Sequence, residues 1–372
     1  MRSQCIASCW SAAIATTLVA GATQAQLGTP AVPAEDRAAA VVDPSWKVPR
    51  TSWGHPSFEG TWSTDDMRSV PRNRPEVFGR RDKLTQDEFA ERAAADAATR
   101  NFHVNEQDFS RRGEAGTRSF GYTSLLIDPP NGQMPAMTEA GLARRASSDR
   151  GSFGPGPFDG FDDFTLYDRC ITRGILGSTF PVVYGNGLRI TQTVDSIAIS
   201  YEMVHDTRII KLDGRTHLNE GIRQYLGNSR GYFDGDTLVV ETQNLTDQTS
   251  IGSNGNGTRH SEAMKITERF TRVDPAMIEY VATVDDPVTY QAPFTFRMMF
   301  TTQSNYRVYE YSCHEGNGAV SHSLSGERDY ERRVAEALAS GRPIPERVIP
   351  IHEETRLENP ESIDFFDINA GE

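Results

Sequence analysis

The sequence predicts a mainly β protein: an antiparallel, lipocalin-like barrel with an N-terminal wrapping segment and a few flanking helices. Three observations carry this. Residues 188–313 hold short segments in which strand-forming residues recur at a period of two: LRITQTVDSIAISYEM, DTRIIKLDGR, RGYFDGDTLVVETQ, EAMKITERFTRVD, MIEYVATVDDP, PFTFRMMFTT and YRVYEYSCHEG. Asp-Gly, Asn-Gly or Asp-Pro bounds them, as hairpin turns require. Charged side chains also fall in phase with the apolar ones, on the face that should be buried. Such a series closes most cheaply as a barrel or a sandwich, and polar positions inside favour a barrel with a lined cavity.

From the N terminus, residues 1–25 read as a secretory signal: Arg2, an apolar stretch from Cys9 to Ala20, then small residues with cleavage after Ala22 or Ala25. The stretch is too short to span a bilayer, and no later run reaches the ~18 apolar residues a membrane helix needs. The expectation is an exported, periplasmic or secreted protein; a retained N-terminal anchor is the alternative. Residues 26–60, rich in Pro and Ala, form a linker and lead-in with Trp46, Trp53 and Phe58, followed by Trp62. Residues 61–164 read as a helical and loop segment packed on the barrel. Within it Thr85-x-x-Glu88 is a capping box opening a helix, Phe120–Ile127 a strand, Thr138–Ser147 a short helix, and 151–164 a Gly/Phe/Asp loop of the kind that rims a site. The barrel is assigned to 165–326. A helix over Arg328–Ser340, stopped by Gly341 and Pro343, opens a C-terminal segment, 327–372, that ends in an acidic tail.

The 372 residues carry a formal charge of -13. The basic pairs Arg80-Arg81, Arg111-Arg112 and Arg144-Arg145 are isolated among acids, which argues against nucleic acid and anionic membranes as partners. Outside the signal only Cys170 and Cys313 remain. In an oxidising compartment such a pair is most simply a disulfide; two buried thiols are the alternative.

Alternate residues of a strand share a face. In MKITERF this places Glu268 with Met264, Ile266 and Phe270. In IAISYEMVH it turns Tyr201 and His205 inward with the isoleucines, and in TLVVET it pairs Glu241 with Val239. In YRVYEYSC, Arg307, Tyr309, Tyr311 and Cys313 alternate against Val308, Glu310 and Ser312, leaving His314-Glu315 at the strand mouth. A carboxylate facing a core must be paired, hydrogen-bonded or titrating near neutrality. Glu268 is therefore either an acid/base group or the partner of Arg208, Arg230 or Arg297 in a buried ion pair. His205, His217, His260 and His314 fall at strand ends or in loops, where a histidine beside a carboxylate can move protons.

Other chemistries lack their signatures. HEGNGAVSH does not place histidines one helical turn apart, there is no Cys-x-x-Cys, and no metal is expected. No Gly-x-Ser-x-Gly elbow, Walker loop, or nucleotide or flavin fingerprint occurs, so no cofactor is expected. GSNGNGTRHSE reads as a loop between strands. Asn244-Leu-Thr and Asn256-Gly-Thr match glycosylation sequons.

The segments DRCITRG, TVDSIAISYEMVHDTRIIKLDGRTH, GNSRGYFDGDTLVVETQN, SEAMKITERFTRVD, VDDPVTYQAPF and YEYSCHEGN resemble a large family of exported bacterial proteins, mostly uncharacterised, over roughly residues 165–335. Some relatives act in sphingomonad breakdown of lignin-derived phenylpropanoid dimers, and the resemblance implies a decarboxylase-like lyase. Two functions are then expected. The first is a cofactor-independent lyase or isomerase on a small aromatic or amphipathic molecule. Glu268 or His314 (with His205 as a further candidate) moves a proton, Tyr311 or Tyr201 stabilises an oxyanion, Arg208 holds a carboxylate, and Tyr309 and Glu241 line the pocket. The second is a non-catalytic binding protein using the same pocket. The oligomeric state is left open.

Overall fold

The computed structural model describes residues 45–105, 118–148, 157–182, 184–252, 257–302 and 308–347. The stretch expected to be a signal, most of the lead-in, Asn256, Arg307 and the acidic tail lie outside them. The strands are β1 (Gly60–Ser63), β2 (Leu126–Asp128), β3 (Gly187–Gln192), β4 (Ser196–Tyr201), β5 (Thr207–Lys211), β6 (Asn228–Asp234), β7 (Thr237–Gln243), β8 (Lys265–Asp274), β9 (Met277–Asp285) and β10 (Phe294–Thr301). The helices are α1 (Gln86–Asn105), α2 (Glu139–Ser148), α3 (Gly174–Thr179) and α4 (Ala319–Ser340).

Nine strands form a closed ring, β1-β3-β4-β5-β6-β7-β8-β9-β10, with Ser63 of β1 opposite Thr301 of β10. Strand direction cannot alternate all the way round a ring with an odd number of strands, so at least one neighbouring pair must be parallel. That pair is β5–β6, with Ile210 opposite Ser229 and Lys211 opposite Arg230; the other eight are antiparallel. The expected antiparallel barrel is thus a mixed one, and the exception follows from closure. Parallel pairing also brings β6 close to the end of β5: a Cβ on Gly231 would lie 2.8 Å from Ile210 Cγ2, so only glycine fits.

Alternation fills the ring. Ile197, Ile199 and Tyr201, Leu238 and Val240, Ile266 and Phe270, Ile278 and Tyr280, and Phe294, Phe296, Met298 and Phe300 belong to one buried cluster. Tyr280 sits between Phe270 (ring centroids 5.0 Å apart) and Phe300 (4.9 Å). The outer face of β10 is buried as well, because the N-terminal segment wraps it. The Arg297 amide donates to Leu125 O, and its guanidinium lies 4.1 Å from the Tyr122 ring centre.

The edge of β10 explains two departures from the sequence reading. β9 takes one edge; β1 at Thr301 and β2 at Thr295 and Phe296 share the other. No edge is left for the strand expected near 306–313, and residues 308–312 are not a strand despite their alternation. The strand expected over Phe120–Ile127 shrinks to β2, since Leu125 and Leu126 donate their amides to Pro71 O and Arg72 O of another irregular segment. The ring also recruits β1 from ahead of the 165–326 stretch, where four residues, GTWS, are too few to show a period.

The helix ends follow their caps. At α1 the Thr85 amide donates to Glu88 Oε2 (2.7 Å) and the Glu88 amide to Thr85 Oγ1 (3.3 Å), as the capping box requires. α4 starts nine residues earlier than expected, directly after the Gly-Asn-Gly turn, and stops at Gly341 in the left-handed conformation (φ 64°). α3 went unpredicted. It is six buried residues whose Ile175 and Leu176, with Phe180, plug into the barrel cluster.

Candidate functional site

Glu268 lies inside the barrel, 0% exposed, as its phase on β8 predicts. Across the ring from β5, Arg208 grips it with both terminal nitrogens: Nη1 donates to Oε2 at 2.6 Å and Nη2 to Oε1 at 3.0 Å. Tyr280 donates its hydroxyl to Oε1 at 3.0 Å. Burial pulls the Arg208 pKa down, but the Glu268 carboxylate more than offsets this and the net shift is upward. The Tyr280 phenol is raised well above its ordinary value by burial and by Glu268. Both carboxylate oxygens and both terminal guanidinium nitrogens are therefore committed. Of the two roles for Glu268, the geometry is that of the buried ion pair, and its partner among the three arginines considered is Arg208. Arg208, expected to hold a substrate carboxylate, already holds this one.

Tyr201 closes β4 next to this pair. It is buried, within electrostatic reach of Arg208 and Glu268, and shares a hydrogen bond with the Thr179 side chain at the end of α3. Desolvation raises its pKa. Beyond it stands a group that no sequence pattern marks. Arg173, immediately before α3, is 1% exposed, and none of its three guanidinium nitrogens has a hydrogen-bond partner among the described residues. Its main electrostatic neighbours are the phenols of Tyr167, Tyr311, Tyr184 and Tyr201. Three of them converge: Tyr184 and Tyr311 hydroxyls lie 3.5 Å apart, and Tyr167 hydrogen-bonds with both. Burial raises Tyr167 to about 12 and pushes Tyr311 up further, reinforced by Tyr184 and Tyr167. Burial lowers Arg173 to about 10, leaving it cationic at neutral pH.

Tyr311 is brought to this cluster by a strap, residues 308–318, that crosses the end of the barrel where β4 finishes. The Tyr309 amide donates to Glu202 Oε1 (2.9 Å), and Asn317 Nδ2 donates to Asp168 O (2.9 Å). Cys313 forms a disulfide with Cys170, with Cα atoms 5.6 Å apart. His205 Nδ1 lies 3.2 Å from Tyr311 O. A carbonyl can only accept, so Nδ1 carries the proton and a neutral His205 keeps its free lone pair on Nε2.

Other expected site residues lie elsewhere. His205 does not point into the barrel: β4 ends at Tyr201, and Val204 (φ 66°) and His205 (φ 46°) turn the chain so that the imidazole is exposed. Tyr309 is 70% exposed, and His314 is exposed in a turn. Glu241 is exposed on the outside of β7, opposite Arg230 and Thr267, while Leu238, Val240 and Thr242 face in. His217 hydrogen-bonds with Asn228 Oδ1. The Asn244 side-chain nitrogen donates to Leu218 O, Asn219 O and Ile222 O from a buried site, which removes this sequon from glycosylation. Among the described residues no three His, Cys, Asp or Glu side chains cluster as a metal-ligand set.

His260 is structural, and its pKa makes a prediction. Its Nδ1–H donates to Ser261 O (3.0 Å), and in the neutral ring Nε2 accepts from Thr249 Oγ1 (2.5 Å). Desolvation lowers its pKa below the ordinary value. The unfolded chain therefore binds the proton first, and the contribution of His260 is full above about pH 6.5 and lost as pH falls toward the folded value. Urea unfolding between pH 7 and 5 should show this loss, and His260→Gln should flatten it. An unchanged slope in the variant would count against the assignment.

No family model and no curated protein matches the chain. What the fold defines is a closed, mixed, nine-stranded β-barrel, plugged by a buried helix and strapped by a disulfide. No helix of the described residues is long and apolar enough to cross a membrane.

Proposed function

We propose that this is an exported protein that takes a small aromatic or amphipathic molecule at the strapped end of the barrel. The convergence of the Tyr167, Tyr184 and Tyr311 hydroxyls beside a buried guanidinium that makes no hydrogen bond among the described residues carries this reading. Aromatic walls with a few convergent polar groups suit such a ligand. Export draws support from the Cys170–Cys313 bridge, which persists in an oxidising compartment.

A second reading, the cofactor-independent lyase, is supported by the same convergence of hydroxyls. Tyr311 and Tyr167, with raised pKa values, stay protonated at neutral pH and can donate to a developing oxyanion or leaving oxygen. His205, whose Nδ1 donates to Tyr311 O, turns Nε2 away from that bond as a candidate base beside the strap. Glu268 is not required in this scheme.

One panel tests both. Purified, oxidised protein is incubated with phenylpropanoid and terpenoid compounds; melting temperature and product formation are measured. Binding predicts upward shifts with aromatic members. Turnover that drops at least tenfold in Tyr311→Phe, with the fold intact, supports the lyase. A panel that neither shifts nor reacts overturns both.

A further inference from the structure

We infer that Arg173 is the anchor for a ligand carboxylate, so that the molecule taken at the strapped end is a small aromatic monoacid. The inference rests on the reading of that end as a ligand site and names the ligand's charged group.

A fully buried cation is costly unless paired and hydrogen-bonded. Other buried arginines have compensation: Arg208 is paired with Glu268, and Arg74 donates Nε to Thr123 Oγ1 and Nη1 to Pro130 O. Arg297, whose Nε and Nη2 make no hydrogen bond among the described residues, has Asp82 at 3.7 Å and the Tyr122 ring at 4.1 Å. Among the described residues the Arg173 guanidinium has no hydrogen bond and no ion pair with a carboxylate. Nearby acids are engaged otherwise, since Asp206 takes the Thr172 hydroxyl and Asp168 takes Thr165. Its foremost electrostatic neighbours are four phenols, able to share a bound anion but not to neutralise the cation.

The surroundings narrow the class of anion. A guanidinium presents a planar fork of N–H donors that matches a carboxylate bidentately. No second cation stands among the foremost neighbours of Arg173, so one negative charge balances the site and a phosphate dianion would not. Around the fork lie the rings of Tyr184 and Tyr311, near-parallel with centroids 6.4 Å apart, and Tyr167 and Tyr201. An aromatic acid can place its carboxylate on the fork and its ring among these side chains.

The experiment compares acids with isosteric neutral amides by isothermal titration on the oxidised protein at pH 7. The pairs are benzoate against benzamide and 4-hydroxycinnamate against its amide. The acids should bind roughly 10–100-fold more tightly, the size expected for charged hydrogen bonds in a buried site. In Arg173→Met that preference should vanish while the amides bind as before. Equal affinity of acid and amide in the wild type overturns the inference but leaves the ligand site standing, and this comparison decides even should the variant not fold. A preference retained in a folded Arg173→Met also overturns it. Binding of neither acid nor amide removes the ligand-site reading itself, and this inference with it.

Discussion

Glu268→Gln should unfold far more easily than the wild type, with a loss of about 3–5 kcal/mol in urea or guanidinium titrations. The substitution keeps the shape and one acceptor oxygen but leaves the Arg208 guanidinium buried without its counter-charge, and weakens the acceptor that Tyr280 uses. The cost thus comes from the partner left behind, not from the net worth of the pair. This gives a second arm to the experiment. Replacing both residues, Glu268→Gln with Arg208→Met, removes the orphan charge and should recover most of the loss, because a buried pair exchanged for neutral side chains of similar volume is often close to neutral. A Glu268→Gln protein as stable as the wild type would show that the pair does not hold the barrel, and would return Glu268 to the acid/base candidates.

This pair also shows where the sequence was legible. Phase along β8 put Glu268 inside because Ile266 and Phe270 flank it on a long strand whose other face is less buried. The barrel, the capping box at α1, and the stop at Gly341 rest on equally local rules, each of which reads only a few residues. Phase failed where the strand stopped or where both faces were covered. β4 ends four residues before His205, so alternation no longer applied to it. In β7 Val239 is buried although it shares the outward face with Glu241, and TLVVET therefore gave no reliable inside. Tyr309 and Tyr311 alternate as a strand would, but whether a segment pairs depends on a free edge, which is a property of the closed ring. Arg173 was missed because its isolation is tertiary: α3 is too short to show a period, and the phenols around Arg173 come from residues 167, 184, 201 and 311. The motif DRCITRG contained Arg173 beside Cys170, but nothing local said that it would be left without a partner.

The second large effect should follow from opening the Cys170–Cys313 bridge. It closes a loop of 143 residues, for which the chain-entropy model gives roughly 5 kcal/mol of stabilisation. Native protein should show no thiol reactive with Ellman's reagent from these two positions, and Cys170→Ser/Cys313→Ser should lower the urea midpoint accordingly. The location of the bridge predicts more than a stability loss. With it gone, the strap is held among the described residues by Glu202 on the Tyr309 amide, His205 on Tyr311 O, Asn317 on Asp168 O and the contacts of the Tyr311 hydroxyl with Tyr184 and Tyr167. His205 is exposed, so its bond competes with water and is worth little. The barrel ring, in contrast, is stitched by strand pairing that the disulfide does not touch. Amide exchange in the double variant should therefore accelerate most at 308–318, ahead of β7, β8 and β9, and Tyr311 should separate from Tyr184 and Tyr167 before the ring opens. Ligand affinity should then fall by more than the global stability loss would require at temperatures where the barrel is still folded. Uniform acceleration across strap and strands would instead place the whole effect in the unfolded chain, and the strap would have no separate part in assembling the site.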